Sequence, residues 1–130
     1  MTCDSILVLG SNRNKVLAEK LFEFGLTAIV RESMQSALER LRTGHFAAII
    51  VDRAQVECDV LEFVLNVRDF NDLVPVFVLG RSPGKEDDKL VLADRRTFVA
   101  DAEPDFNELT KGIESLDAEK ANADGRIAGG

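Results

Sequence analysis

The sequence predicts an α/β domain in which a parallel sheet is covered by helices on both faces. Three observations carry this prediction. Short β-branched runs alternate with stretches of helical periodicity along most of the chain. The run Phe46-Ala47-Ala48-Ile49-Ile50-Val51 is apolar without interruption, as a strand buried on both faces requires, and it closes on the carboxylate of Asp52. The joints between runs are short and rich in Gly, Ser, Asn and Asp, the residues that turn a chain.

The elements follow in order. Ile6 to Leu9 is a strand, stopped by Gly10-Ser11-Asn12. Asn14 to Phe24 is helical, with Leu17, Leu21 and Phe24 on one face, Val16, Ala18 and Phe22 beside it, and Ser11 or Asn12 as its cap. Gly25 suits the position past its end, where a left-handed backbone is needed. Thr27 to Val30 is a second strand. Ser33 caps the next helix, whose Met34, Ala37, Leu38 and Leu41 fall at i, i+3, i+4 and i+7, and Gly44 closes it. The third strand then runs into Asp52.

The helix from about Asp59 to Phe70 carries Val60, Leu61, Phe63, Val64, Leu65, Val67 and Phe70, more than one stripe can hold. Such a helix is either deeply buried or presents a second apolar face to a partner. Val74 to Leu79 is the fourth strand, with Pro75 near its start where a missing donor is tolerable. Gly80 to Gly84 is a loop, Asp87 to Ala93 a short helix, and Thr97 to Ala100 a fifth strand. The last helix follows Pro104, with Phe106, Leu109, Ile113 and Leu116 at helical spacing and Gly112 weakening it. From Asp117 the periodicity fades. This leaves residues 1–116 as one folded domain and 117–130 as a flexible tail or linker.

Strands alternating with helices imply right-handed crossovers and a doubly wound sheet, most economically in the flavodoxin-like order 2-1-3-4-5. That order places Gly10-Ser11-Asn12 beside Asp52, with Gly80 and Asp101 on the far side. The carboxyl edge can then be read as one site.

Composition narrows the function. The chain has 130 residues, 45% of them apolar, and a net charge of −7. Nucleic acid as a partner is disfavoured, because phosphate neutralisation needs clustered Lys and Arg. The N-terminus lacks a basic region, and the run after it is too short for a signal peptide or a membrane span, so a cytoplasmic protein is expected. Cys3 and Cys58 show neither metal spacing nor a CxxC pattern and are expected to be free thiols. His45 is the only histidine, which leaves His-based metal sites and nucleophilic relays without support.

Taken together, the residues resemble the receiver domain of bacterial two-component response regulators over about Ser5 to Leu116. The strongest stretch is Ala47 to Leu79. Asp52 takes the phosphoacceptor position, Asp59, Leu61 and Glu62 fall at the start of the family's third helix, and Phe98 matches its switch aromatic on the fifth strand. The resemblance also implies what is missing. Gly10 and Ser11 stand where the family has an acidic pair for Mg²⁺. Gly80 stands where it has a Thr or Ser, with Ser82 two residues late, and Asp101 stands where it has a Lys. A two-residue shift suggested by Pro104 would put Glu103 there, which is still acidic.

The resemblance therefore implies a degenerate pseudo-receiver. It would be no enzyme, would hold no metal or cofactor, and would act as a phosphorylation-independent interaction module. It would dock a protein or itself through the Phe98 face or the apolar third helix. Asp101 is expected to face solvent or cap the last helix, in preference to pairing with Asp52. Two alternatives stand beside this reading. One is a working receiver phosphorylated on Asp52 through an atypical Mg²⁺ site. The other is a sensor of a nucleotide or another small anion, bound by Ser11, Asn12, Arg13 and Asp52 at the sheet's edge.

Overall fold

Strand and helix alternate in the computed structural model as the sequence dictates. It describes residues 5–11, 15–56, 59–80, 89, 91, 93–94 and 96–116. In chain order the elements are β1 (Ser5–Leu9), α1 (Val16–Glu23), β2 (Thr27–Arg31), α2 (Met34–Thr43), β3 (Ala48–Asp52), α3 (Val60–Phe70), β4 (Val76–Leu79), β5 (Thr97–Ala100) and α4 (106–116). The strands form one five-stranded sheet in the order β2-β1-β3-β4-β5, and every pairing is parallel.

The period of two along each strand divides the core. Leu7, Leu9, Ile49, Val51, Val76 and Val78 face one side and pack with Ala37 and Leu41 of α2 and Phe63, Val64 and Val67 of α3. Ile6, Val8, Ile50, Phe77 and Leu79 face the other and pack with Leu17 and Leu21 of α1 and Leu109 and Ile113 of α4. Each such side chain taken fully out of water contributes about 1.5–3 kcal/mol. β3, at the centre, is buried at all five positions.

The helix ends show where local reading succeeds. Ser33 accepts the Ser36 N–H at 3.1 Å to start α2, and Asp59 accepts the Glu62 N–H at 3.1 Å to start α3. α4 is capped by Asp105, which accepts the Asn107 N–H at 2.9 Å. Asp101 does not take that role. It lies four residues too early, on the exposed stretch leaving β5.

α1 departs from expectation at both ends. Its cap is Lys15, which makes no side-chain cap bond, in place of Ser11 or Asn12. At its other end the Gly25 N–H bonds to the Phe22 carbonyl and the Leu26 N–H to the Leu21 carbonyl, with Gly25 at φ 81°. This closing motif turns the chain one residue early. Leu26 takes the buried place, and Phe24 is left 38% exposed. α3 proves to be half of each alternative. Val60, Phe63, Val64 and Val67 are buried, while Leu65 and Phe70 are exposed. Gly44 ends α2 in extended backbone, and the space its side chain would fill is taken by the Arg40 guanidinium, which reaches over the Phe46 ring.

The amino edge of the sheet is tied by Arg68, near the end of α3. Its Nε and Nη2 donate to Asp94, its Nη1 to the carbonyls of Asn71 and Val74, and its Nη2 also to the carbonyl of Arg96. Asp94 further accepts from Thr97 Oγ1 at the start of β5. Cys3, Cys58, the loop with Ser82 and Gly84, and the tail 117–130 lie outside the described residues. Of the predicted helix Asp87 to Ala93, Lys89, Val91 and Ala93 are described, and the first two are helical. Among the described residues no helix is long and apolar enough to cross a membrane.

Candidate functional site

Parallel strands all end on the same edge, so the residues following them are brought together by topology alone. Register pairs Leu9 with Val51, Asp52 with Leu79, and Leu79 with Ala100. The pairing continues one residue past the strands. The Gly10 N–H bonds to the Arg31 carbonyl at 2.9 Å, and the Gly80 N–H to the Ala100 carbonyl at 2.8 Å. Gly10, Asp52 and Gly80 thus sit side by side, as the sequence predicts.

Asp52 is the last residue of β3 and is 8% exposed. Its Oδ1 accepts the Ala54 N–H at 3.2 Å, the one donor to this carboxylate among the described residues. Burial pushes the carboxyl above its ordinary value, and the Ala54 bond offsets part of that push. A Cβ on Gly10 would lie 3.5 Å from the Asp52 Cβ, so any side chain at position 10 would start out against Asp52.

Asp52 lines a cleft of about 410 Å³. Its other walls include Val16 and Leu17 at the start of α1, Leu79 at the end of β4, Glu103 and Pro104 between β5 and α4, and Phe106 at the start of α4. Asp101 is exposed and does not line this cleft. Among the described residues no second carboxylate adds to the shift of Asp52. Glu103 lines the same cleft as Asp52. Ser11 is half-buried next to Gly10, and Asn12 and Arg13 lie outside the described residues.

Arg53 is the residue that the sequence reading passed over. Its Nη1 donates to the Gly80 carbonyl at 2.8 Å, and its own N–H bonds to the Leu79 carbonyl at 3.1 Å. Gly80 stands at φ 100°, and a Cβ there would meet the Arg53 Cβ at 3.4 Å. The one available signal was a long cation directly after a strand-ending Asp, with a glycine ending the next strand. On the far edge, Phe98 lies in register with Phe77, and their rings stack at 5.2 Å and 24°. Phe77 is buried against Gly112 of α4, while Phe98 is 36% exposed. One ring anchors the other and leaves its outer face open.

No family model and no curated protein sequence matches the chain. Solved structures do. A CheY-like response regulator receiver domain protein from Methanospirillum hungatei superposes with a TM-score of 0.76 at 12% identity, covering 93% of this chain and 99% of that one. The receiver domain of the sensor histidine kinase PA1611 from Pseudomonas aeruginosa, with magnesium coordinated in its active-site cleft, gives 0.73 at 16% identity, covering 89% and 98%. The receiver domain of Ssk1 from Saccharomyces cerevisiae, crystallised with the histidine phosphotransfer protein Ypd1, gives 0.72 at 16% identity, covering 92% of each. The structural neighbours are response regulator receiver domains, and this chain has their CheY-like fold.

Proposed function

We propose that this domain is a pseudo-receiver, a phosphorylation-independent protein-interaction module of bacterial two-component-type signalling. The observation that carries the reading is the cleft around Asp52. Phosphoryl transfer to a carboxylate is mostly positioning and charge neutralisation by a metal and a cation. A magnesium ion asks for several hard oxygens at octahedral geometry. Here the β1 edge offers Gly10, with no side chain, and the single hydroxyl of Ser11. Among the described residues no three His, Cys, Asp or Glu side chains converge on a metal position. The donor set therefore does not fit the ion. Gly80 supplies no hydroxyl, its left-handed backbone resists a side chain, and Glu103 brings negative charge to the same cleft. The two carboxylates also weigh against a nucleotide or other anion at this edge.

An interaction role is supported by the surface. Phe98, stacked on Phe77, gives an exposed aromatic at the β5 edge. Leu65 and Phe70 give a second apolar patch on α3. The Ssk1 receiver was captured with a protein partner, which supports partners of that kind.

The test is an amide NMR titration with Mg²⁺, followed by beryllofluoride as a phosphoryl mimic. The expected result is flat spectra at Gly10, Ser11, Asp52, Gly80 and Phe98. Saturable shifts at those amides would show a working receiver phosphorylated on Asp52 and would end this reading.

A further inference from the structure

The groove between α2 and α3 joins an apolar floor to two unmatched charges. Met34, Leu38 and Arg42 fall at i, i+4 and i+8 and form one stripe of α2, while Asn66 and Phe70 form the facing stripe of α3. Between them lies an open furrow of about 330 Å³, in which Phe70 is 45% exposed. Glu39 and Arg42 line the same furrow, both exposed and one helical turn apart. That i, i+3 spacing lets opposite charges pair within a helix. Here they do not. The Arg42 guanidinium lies over the Phe70 ring, 4.6 Å from its centre, and neither charge is in an ion pair among the described residues.

Stacking occupies the face of a guanidinium and leaves its N–H edge available to a carboxylate. The ring also holds the arginine in place, so less side-chain freedom is lost when a partner binds. The groove carries one acid and one base, so its net charge selects neither an acidic nor a basic partner. What it selects is a surface with the two signs in reverse order. An antiparallel copy of the same helix supplies that order by symmetry. A twofold axis crossing α2 midway between Glu39 and Arg42 sets each Glu39 opposite the Arg42 of the second copy. One contact is then made twice, as an isologous interface requires. The same axis brings the two furrows together, so that Leu38 and Phe70 of both copies leave water in one patch inside a polar rim.

We infer that a second copy of this chain docks on the α2–α3 groove, its α2 antiparallel to the first, with two symmetric Glu39–Arg42 ion pairs closing over Leu38 and Phe70. This gives a partner to the interaction module proposed above, on which it rests, and makes no use of Asp52. Each chain carries a net charge of −7, and at about 0.15 M salt the repulsion between two of them is screened within about 8 Å.

The experiment is sedimentation equilibrium of the full chain in about 0.15 M salt, from about 10 µM to about 1 mM protein. A reversible monomer–dimer equilibrium is expected, with a Kd of about 100 µM. Glu39→Arg and Arg42→Glu each place like charges across the axis, and each should weaken the dimer at least about tenfold. Combining the two restores opposite charges in swapped order and should return the Kd to within about threefold of the parent. Both positions are exposed, so the variants keep the fold. Phe70→Ala should weaken the dimer at least about tenfold, and Phe98→Ala should leave it unchanged. A monomer at every concentration overturns the inference and leaves the groove to a different partner. So does a dimer that ignores the single swaps, one that the double swap fails to restore, or one that Phe98→Ala dissociates. The titration with Mg²⁺ and beryllofluoride separates the failures. A monomer with flat spectra overturns this inference alone. Saturable shifts around Asp52 overturn the pseudo-receiver reading, while the swap series decides the dimer by itself.

Discussion

At the scale of single residues, Asp52 and Gly80 define what the carboxyl edge can hold. Burial favours the protonated form of Asp52. A raised folded-state pKa adds stability below the ordinary carboxylate range near about pH 4, and that contribution is lost as pH rises through the folded value. At neutral pH the fold therefore carries the cost of an ionised, under-solvated group. Asp52→Asn should raise stability at pH 7 by about 1 kcal/mol, or roughly 4 °C in Tm, and should flatten the limb of the pH profile just above pH 4. A variant no more stable than the parent in thermal melts at pH 7 would refute this account. Gly80 sets the opposite constraint. At φ 100°, Gly80→Ala should cost about 1–2 kcal/mol in urea unfolding, and Gly80→Thr more, because a β-branched residue tolerates that backbone least. A hydroxyl-bearing side chain cannot be placed there without straining the chain.

Elements differed in how much of them could be read from sequence. β5 falls on Thr97–Ala100 as expected, and the caps Ser33 and Asp59 make the bonds their residue types suggest, because both signals are local. Asp59→Ala should accordingly cost about 1 kcal/mol, seen as a lower denaturation midpoint with unchanged slope. Phe24 was misread because helical periodicity does not show where a closing motif will turn the chain. Asp101 was expected to face solvent or to cap α4; it is exposed, and the cap is Asp105. Four acidic residues, Asp101, Glu103, Asp105 and Glu108, crowd that joint, and periodicity does not choose among them. Within the site, Asp52 was legible because a buried strand that ends in a carboxylate is unusual. The bond from Arg53 to Gly80 was not, since it crosses between strands 27 residues apart in sequence and exists only once register is set. The wall from Ala102 to Pro104 comes from a joint with no periodic pattern at all.

Over the whole molecule the two edges of the sheet are built differently. Asp94 is pushed up by its burial, but Arg68, Thr97 and the Arg96 N–H more than offset that and hold its carboxyl below the ordinary value. A depressed pKa gives stability that is present above the ordinary carboxylate range and is lost as pH falls through the folded value. Acid unfolding should therefore set in below about pH 4, and Asp94→Asn should weaken that dependence. Arg68→Ala should cost about 3 kcal/mol, since it takes the guanidinium away from the half-buried Asp94 carboxylate and from the carbonyls of Asn71, Val74 and Arg96. Arg68→Lys should recover less than half of that, because an ammonium cannot match the guanidinium fork. Chemical denaturation of the three variants checks the ranking. One arginine thus uses all five of its N–H groups to fasten the joints before β4 and β5, at the end of the sheet opposite Asp52. In hydrogen exchange the Asp52 edge, which has no such fastening among the described residues, should open first and the Arg68 edge last.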